Sequence, residues 1–300
     1  MGSPRLGKLD INYLMNAGFN YAQRNASQLV GNGTSAYVLD RWLSFTGFDG
    51  QPASQTTYSR EQVSYDEKSE FSIKTTGSYS PGETIANVQR IESIFARDFI
   101  NKKASFLARH NNDGFTVIKV RLKYPAIKDD FSSALTLIHE QIFNVTTDSV
   151  NNDLKFEDIA MPANVANGIQ VEIVYVSDQT AVITSFTSQP KLNIGTKVQE
   201  FSLFRDDVEA ELKICQRYFE FGHISKNGQA TNAARYIDAT YTYHAIKRIF
   251  PVISLSNTNS QFYPTPGVSG TTQYLYCAAL ANGTGNHAYF HFDWEADCEL

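Results

Sequence analysis

The sequence predicts an all-β chain: a jelly-roll β-sandwich, then a short linking helix, then a smaller C-terminal β-sandwich domain. Short segments that alternate apolar and polar residues recur along most of the chain, and such alternation is typical of strands with one buried face. Gly, Asn, Asp and Pro separate these segments, as turns require. A helical period occurs at one place, so the crossover helices of a parallel sheet are not predicted.

The clearest strand signal covers residues 115–123, where Ile118, Val120 and Leu122 alternate with other side chains. This segment follows a turn-forming sequence at 111–114, which predicts one half of a hairpin. Further strands are predicted at 70–75, 88–94, 104–108, 136–145, 169–176, 181–186 and 197–204, and then at 234–244, 248–256, 273–280 and 288–294.

The one helical signal covers residues 207–221, where apolar residues recur at helical spacing. Asp206 or Asp207 can cap its N-terminus, and Gly222 is placed to end it. The chain is therefore divided into a linker at 1–10, a jelly-roll domain at 11–205, the linking helix at 206–222 and a smaller C-terminal β domain at 223–300.

The composition favours a neutral polar surface. Aromatic residues make up 13% of the chain and charged residues 19%, so Ser, Thr, Asn, Gln and Gly must supply much of the surface. The formal net charge of -5 offers no basic surface for a polyanion, and we expect no nucleic-acid binding. Sugars are neutral polar ligands, and this composition suits them.

The cysteines and the apolar segments bear on location. Cys215, Cys277 and Cys298 are widely spaced and are expected to be buried free thiols, although a bridge between the last two stays open. No apolar stretch has the length of about 18 residues that a bilayer span needs, and the N-terminus lacks the apolar core of a signal peptide. We expect a soluble chain that reaches the cell exterior by another route.

Several short patterns occur in a characteristic order along the chain. They are Asn-Tyr-Leu-Met-Asn-Ala-Gly-Phe at 12–19, Leu-Asp-Arg-Trp at 39–42, Val-Gln-Arg-Ile-Glu at 88–92, Glu-Leu-Lys-Ile-Cys-Gln-Arg-Tyr-Phe-Glu at 211–220 and Phe-Pro-Val-Ile-Ser-Leu at 250–255. Together they resemble segments of phage tail-fibre and tail-tip proteins, of which 12–19 looks like the opening strand and 39–42 like the next core strand.

This resemblance implies a carbohydrate-binding-like jelly roll and a terminal β domain, assembled as a homotrimer at the distal end of a fibre shaft. It implies a receptor-binding tip that adheres to a cell-surface glycan, either polysaccharide or lipopolysaccharide, on a virion or on a bacterium that carries prophage genes. Residues 54–81 and 126–167 look like the variable loops that set ligand choice.

The candidate ligand-binding residues combine rings for stacking on a pyranose with polar groups that read its hydroxyls. On the strand at 288–294 the alternation assigns Phe290, Phe292 and Trp294 to the core and the intervening residues to the other face, where they bind ligand or line a trimer interface. The full set is Gln261, Phe262 and Tyr263 in a loop, Asn286 and His287 beside a turn, Tyr289, His291 and Asp293 on the strand, and Tyr58, Tyr65 and Tyr79 in polar stretches of the jelly roll.

Alternative functions lack their usual signals. No nucleophile motif or zinc spacing is present, and neither a cofactor nor a metal is expected, because His139-Glu140 has no second His one turn on. Trp42 and Arg41 are interpreted as structural. Two readings stay open: a hydrolase that uses paired carboxylates, as at 129–130 or 206–207, and a trimerisation cap that binds no receptor.

Overall fold

The structure is a computed structural model that describes residues 11–24, 27–62, 71–112, 114–146, 151–202, 208–230, 236–261, 267–280 and 285–299. The chain forms two compact units, the first reaching Glu211 and the second spanning Leu212–Glu299. The division lies within the segment predicted as the linking helix. Each unit is a β-sandwich with its own hydrophobic core.

The first unit is built almost entirely of strands. Short helical turns at Ser93–Ala96 (α1), Arg97–Phe99 and Ala163–Asn167 interrupt them. The strands are β1 (Ser27–Val30), β2 (Thr34–Leu39), β3 (Trp42–Thr46), β4 (Thr56–Gln62), β5 (Phe71–Tyr79), β6 (Thr84–Ile91), β7 (Lys103–Asn112), β8 (Val117–Pro125), β9 (Leu135–Asn144), β10 (Asn152–Ala160), β11 (Ile169–Val176) and β12 (Ala181–Ile194).

These strands form two six-stranded sheets with jelly-roll connections. The first sheet has the order β1-β4-β5-β12-β7-β10, and the second has the order β2-β3-β6-β11-β8-β9. The neighbours pair antiparallel, and β11 and β12 each insert between two strands that precede them in the chain. The predicted jelly-roll sandwich is thereby confirmed. Its core is a layer of apolar side chains between the sheets.

Strand β8 is one half of a hairpin, as predicted, but its partner is the next strand, β9, and the turn predicted at 111–114 does not pair β7 with β8. Strand β7 lies in the first sheet and β8 in the second, where β8 pairs with β9 and β11. The chain crosses between the sheets at Gly114 and Phe115. The Phe115 ring is fully buried, and a Cβ on Gly114 would lie 2.6 Å from the Ile183 side chain, so this segment packs on the core.

Two other segments differ from the expected strands. Residues 12–19, which look like an opening strand, form buried turns instead. The Gln89 side chain takes the place of a neighbouring strand there, since Met15 N donates to Gln89 Oε1 at 2.7 Å and Gln89 Nε2 donates to Met15 O at 2.8 Å. The described residues 197–202 are irregular. There, the backbone N–H of Val198 donates to the Glu157 carboxylate at 2.9 Å.

The structural interpretation of Trp42 and Arg41 is confirmed. Trp42 begins β3 and its ring is fully buried against Phe19, with the ring centroids 5.5 Å apart. Arg41 is also buried and donates through Nη2 to the carbonyl oxygen of Arg90 at 2.5 Å.

A buried polar network links the two sheets through the core. The Asn87 amide donates to the Tyr175 hydroxyl at 3.2 Å, and that hydroxyl lies 2.6 Å from the Thr187 hydroxyl. Thr187 in turn lies 3.1 Å from His110 Nδ1. Because the His110 ring is fully buried, desolvation lowers its pKa to about 3.

We expect acid to destabilise the protein through His110. An unfolded His binds its proton near pH 6.5, so stability falls as the pH drops from about 6.5 towards 3. The loss attributable to His110 between pH 7.5 and 4.5 is on the order of 2 to 3 kcal/mol. Urea unfolding at the two pH values measures it. The control, His110→Asn, keeps a donor for Thr187 without titrating, and an equal pH-dependent loss in both proteins would contradict the assignment.

The second unit is a smaller β-sandwich preceded by a helix, α2 (Val208–Gln216). The third sheet has the order β13-β18-β15 and the fourth has the order β14-β17-β16. Phe290, Phe292 and Trp294 lie in the core between them, as the alternation predicts. The strands are β13 (Phe219–Ala230), β14 (Tyr236–Thr242), β15 (Val252–Gln261), β16 (Gly267–Gly270), β17 (Tyr274–Leu280) and β18 (Gly285–Asp297).

The predicted helix is present but shorter than 207–221. It ends at Gln216, and β13 begins at Phe219. Gly222 does not end the helix, because it lies within β13 and pairs with Trp294 of β18. A Cβ at 222 would lie 2.7 Å from the indole, so this position needs a glycine for packing and not for a helix end. The predicted capping residues Asp206 and Asp207 lie outside the described residues.

A buried ion pair anchors the segment that leads into β15. Lys247 Nζ donates to Glu220 Oε2 at 2.7 Å, and both side chains are almost wholly buried. Burial lowers the pKa of Lys247, against the opposing effect of Glu220. Glu220 also lies 2.6 Å from His244 Nδ1 through its second oxygen. Glu220 thus fixes residues 244–247, which precede β15. Phe250, three residues further on, is largely exposed.

All three cysteines, Cys215, Cys277 and Cys298, are buried and free, as expected. Within the described ranges, no helix has the length and apolar character to cross a bilayer.

Candidate functional site

The face of the second sheet that points away from the core, here called the outer face, carries the largest group of interacting charged side chains among the described residues of the first unit. Residues of one parity, such as Ile173 and Val120, fill the core, and those of the other parity point outward. One outward register row crosses all six strands as Tyr37, Leu43, Val88, Glu172, Arg121 and Glu140, and the next as Ser35, Phe45, Ala86, Val174, Lys119 and Ile142.

The β2, β3 and β6 side of the outer face is apolar. Small aliphatic side chains, Leu43, Ala86, Val88 and Val174, form a buried layer of their own, separate from the main core. Three partly exposed rings pack on this layer; we call Tyr37, Phe45 and Phe48 the ring cluster. The Phe45 and Phe48 rings are tilted, with centroids 5.1 Å apart. Arg24 lies over the Tyr37 ring at 5.0 Å, so the partly exposed Phe45 and Phe48 rings offer the surface for contact with a ligand.

The β11, β8 and β9 side is charged, and Arg121 lies at its centre. The guanidinium donates through Nε to Glu140 and through Nη1 to Asp49. Burial opposes the charge of Arg121, but the hydrogen bonds to Asp49 and Glu140 outweigh it and raise the pKa of Arg121. We call Arg121, Asp49, Glu140, Glu172 and Lys123 the Arg121 cluster.

Glu172 forms the floor of the Arg121 cluster. Its side chain is 1% exposed, because β11 lies in the middle of the sheet. Oε1 accepts from Lys123 Nζ at 3.0 Å and from Gln170 Nε2 at 2.7 Å. Oε2 lies 3.7 Å from Arg121 Nη1, beyond hydrogen-bond distance, and has no hydrogen-bond partner in the described part of the chain. A buried carboxylate oxygen without a donor is costly, and such atoms often mark functional sites.

A glycine turn joins the two halves of the outer face. Phe48 belongs to the ring cluster and Asp49, the next residue, to the Arg121 cluster. The turn is fixed to the first residue of β6, since Thr84 Oγ1 donates to Phe48 O at 2.5 Å and Thr84 O accepts from Gly47 N at 3.0 Å. Gly47 has φ +78°, and a Cβ there would meet Asn32 Oδ1 at 2.7 Å. Glycine is therefore required at 47.

This arrangement can bind a hydroxyl-rich ligand. Rings offer stacking surface for the apolar side of a sugar, and fixed carboxylates and a guanidinium beside them can accept from and donate to its hydroxyls. No group of three or more His, Cys, Asp or Glu that could hold a metal occurs among the described residues.

The C-terminal unit presents a second surface, on the outward face of the third sheet. Tyr289, His291 and Asp293 alternate with the core residues of β18 and are partly exposed, so the predicted division of this strand is confirmed. Asp293 lies 2.8 Å from His223 Nδ1 and accepts from Asn257 Nδ2 at 2.5 Å. We call these five residues the C-terminal face.

The rings of the C-terminal face lie close together. Tyr289 and His291 are stacked with centroids 5.9 Å apart, and His291 and His223 are 5.8 Å apart. The hydrogen bonds from Asn257 and then from His223 lower the pKa of Asp293 below its usual value, which keeps the carboxylate ionised. The sequence therefore placed three candidate residues on one exposed face, and the structure adds two partners from β13 and β15.

The prediction that Tyr58 and Tyr79 face a ligand is wrong. Both rings are buried in the main core, and Tyr58 donates its hydroxyl proton to Phe45 O at 2.5 Å. Each takes the inward position on its strand, where a polar tip needs only one internal partner. Gln261 ends β15. Tyr65, Phe262 and Tyr263 lie outside the described residues, and for Asn286 and His287 only the placement on β18 is described.

No family model and no curated protein matches the chain. Its structural neighbours include carbohydrate-binding β-sandwich modules, a phage tailspike domain and an α-L-arabinofuranosidase. The carbohydrate-binding module TmCBM61, in complex with β-1,4-galactotriose, is 10% identical with a TM-score of 0.37, over 61% of this chain and 99% of that chain. A β-sandwich protein from Bacteroides thetaiotaomicron, described as a candidate sugar-binding protein, is 16% identical with a TM-score of 0.39, over 61% of this chain and 100% of that chain.

The tailspike neighbour is the enzymatically active domain of tailspike protein 4 of bacteriophage CBA120. It is 13% identical with a TM-score of 0.37, over 64% of this chain and 24% of that chain. The identities are low and the TM-scores lie below 0.5, so the function has to be inferred from the residues of this chain.

Sequence reasoning missed the outer face. Two signals pointed to it: Glu172 interrupts the otherwise apolar Val171-Glu172-Ile173 segment of β11, and Gly47-Phe48-Asp49-Gly50 combines turn residues with a ring and a carboxylate. Neither signal reveals that Glu172 and Asp49 meet at Arg121, because that depends on the order of strands in the sheet.

We expect Gly47→Ala to destabilise the first unit more than Gly50→Ala. Both glycines have positive φ, so each substitution costs about 1 kcal/mol of backbone strain. At 47 the new Cβ also meets Asn32 Oδ1 at 2.7 Å and Gly33 N at 3.0 Å, whereas nothing lies within 4 Å at 50. We expect Gly47→Ala to cost roughly 2 kcal/mol or more in urea unfolding. Equal losses would show that the turn is not held as described.

Proposed function

We propose that this chain is an extracellular glycan-binding module that binds sugar on the outer face of its first unit, without catalytic activity. The observation that carries the proposal is the junction of the ring cluster and the Arg121 cluster on one sheet face, through the consecutive residues Phe48 and Asp49.

The two clusters supply the two parts of sugar recognition. A pyranose ring has an apolar side that stacks on an aromatic ring, and such contacts contribute about 1 kcal/mol beyond the buried area. Its hydroxyls need fixed donors and acceptors, and fixed groups lose less entropy on binding. The ion pair with Arg121, which is 12% exposed, holds the Asp49 carboxylate in place. Asp49 itself is 35% exposed, so this fixed acceptor still reaches solvent.

We expect Phe48→Leu to weaken glycan binding about fivefold while lowering stability little. Leucine still covers the aliphatic layer but has no flat ring for a sugar to stack on. Isothermal titration against a series of neutral oligosaccharides, starting with β-1,4-galactotriose, measures the change in affinity, and an assay for new reducing ends tests for cleavage.

The control variant for this experiment is Tyr289→Ala, which removes a partly exposed ring from the C-terminal face. We expect it to leave the affinity for the same oligosaccharides unchanged. If Tyr289→Ala abolishes binding and Phe48→Leu does not, the site is the C-terminal face. New reducing ends would show a hydrolase.

The finer proposal is that the module is the receptor-binding tip of a tail-fibre-like protein, acting as a homotrimer attached to a fibre shaft and binding cell-surface polysaccharide or lipopolysaccharide. Large apolar side chains exposed on the C-terminal unit support self-association, since exposed apolar surface is commonly covered at an interface. Phe250 and Val252 are each 71% exposed, and Ile246 and Phe221 are also more than half exposed.

We expect light scattering at micromolar concentration to give the mass of three chains. Phe250→Ser should shift the protein to monomer, because it removes the most exposed ring of this apolar surface. Leu29→Ser, at an exposed apolar residue of the first unit, is the control and should leave the mass unchanged. A monomeric wild-type protein would contradict the fibre-tip role. A stable trimer that binds no glycan on an array of cell-surface polysaccharides would instead indicate a trimerisation cap.

A further inference from the structure

The Arg121 cluster alternates acceptors with a donor. Asp49 and Glu140 flank the Arg121 guanidinium, one bound at Nη1 and the other at Nε, and both carboxylates are about one-third exposed. Each uses one oxygen for Arg121. The second oxygen of each is left to accept from a ligand, with the guanidinium between them.

Glu172 adds a third negative charge from below. Its Oε2 points at Arg121 Nη1 from 3.7 Å and lacks a hydrogen-bond donor within the described ranges. Arg121 and Lys123 thus face three carboxylates, Asp49, Glu140 and Glu172, and the cluster has one more negative charge than positive. An anionic ligand that approached Arg121 would meet like charges on both sides and beneath.

From this geometry, and resting on the proposed function, we propose that the Arg121 cluster selects uncharged sugars. Hydroxyl groups of a neutral sugar donate to Asp49 and Glu140 and accept from Arg121. A carboxylate or phosphate group of a ligand offers only acceptors, and Asp49, Glu140 and Glu172 repel it. An arginine without these carboxylates would instead attract such a group.

Among the described residues, three cations of the outer face lie outside the Arg121 cluster. Arg24 lies over the Tyr37 ring at 5.0 Å, and Arg90 donates to Gln170 Oε1 at 3.1 Å, so both are held by other groups of the protein. The third is Lys119.

Lys119 lies on the neighbouring register row between Val174 and Ile142, and it makes no ion pair with any described residue. Its flanking residues are apolar, so it can offer a single point charge but no second donor to orient an acid group. The Arg121 cluster, with its fixed alternation, therefore decides the selectivity.

The test compares matched sugars that differ only at C6. The methyl glycosides of galactose, glucose and mannose are each titrated beside the methyl glycoside of the corresponding uronic acid with the same anomeric configuration, and binding is followed by protein NMR at neutral pH. We expect the wild-type protein to bind the neutral member at least tenfold more tightly in every pair that binds. We expect the double variant Asp49→Asn/Glu140→Gln to lower this ratio to about one or to invert it, because Arg121 then lacks its carboxylates.

The matched control is Asp153→Asn/Glu157→Gln, which changes the net charge equally on β10 of the first sheet. Its selectivity ratio should equal that of the wild type. A wild-type preference for uronic acids, abolished by Lys119→Gln, would overturn the inference and leave the proposed function intact. A selectivity ratio in the Asp49→Asn/Glu140→Gln variant equal to that of the wild type would also overturn the inference and leave the proposed function intact. If no sugar of either kind perturbs the signals of the outer face, the proposed function fails together with the inference.

Discussion

The outer face of the second sheet depends on compensation of one buried charge. Glu172 lies in the middle of the sheet with almost no exposure, and a carboxylate in that position is stable only when cations and donors surround it. Lys123 and Gln170 satisfy one oxygen, and Arg121 stands over the other. The position of Arg121 then determines where Asp49 and Glu140 lie, so the charged half of the surface is organised around a single residue of β11.

The apolar half follows a different constraint. Exposing the aliphatic side chains on the outward side of β6 and β11 to water would be unfavourable, and rings from β2, β3 and the turn after β3 cover them. Strands β6 and β11 are consequently buried on both faces, and the hydrogen-bonded Asn87, Tyr175, Thr187 and His110 join the two sheets beneath the site. A surface supported in this way is pre-organised, which reduces the entropy lost on binding.

The two candidate surfaces differ in how far sequence reasoning could reach them. The alternation of β18 separates Tyr289, His291 and Asp293 from the core residues, because neighbours on one strand share a face at every second position. The Arg121 cluster joins residues from β8, β9, β11 and the turn after β3. These meet only because β11 inserts between β6 and β8, and no local pattern encodes that order.

The sequence by itself determined the all-β class, most of the strands, the buried free cysteines and the outward residues of β18, because each depends on local periodicity or residue type. It misjudged the connection at 111–114, the end of the helix and the burial of Tyr58 and Tyr79. These three features depend on contacts with residues that are distant in the sequence. Phe219 pairs with β18 and so lies in a sheet instead of the helix, and both tyrosines pack in the main core. Only the tertiary structure decided that a ring, a carboxylate and a guanidinium lie side by side, since their contact is set by sheet order and register, which are long-range properties of the chain.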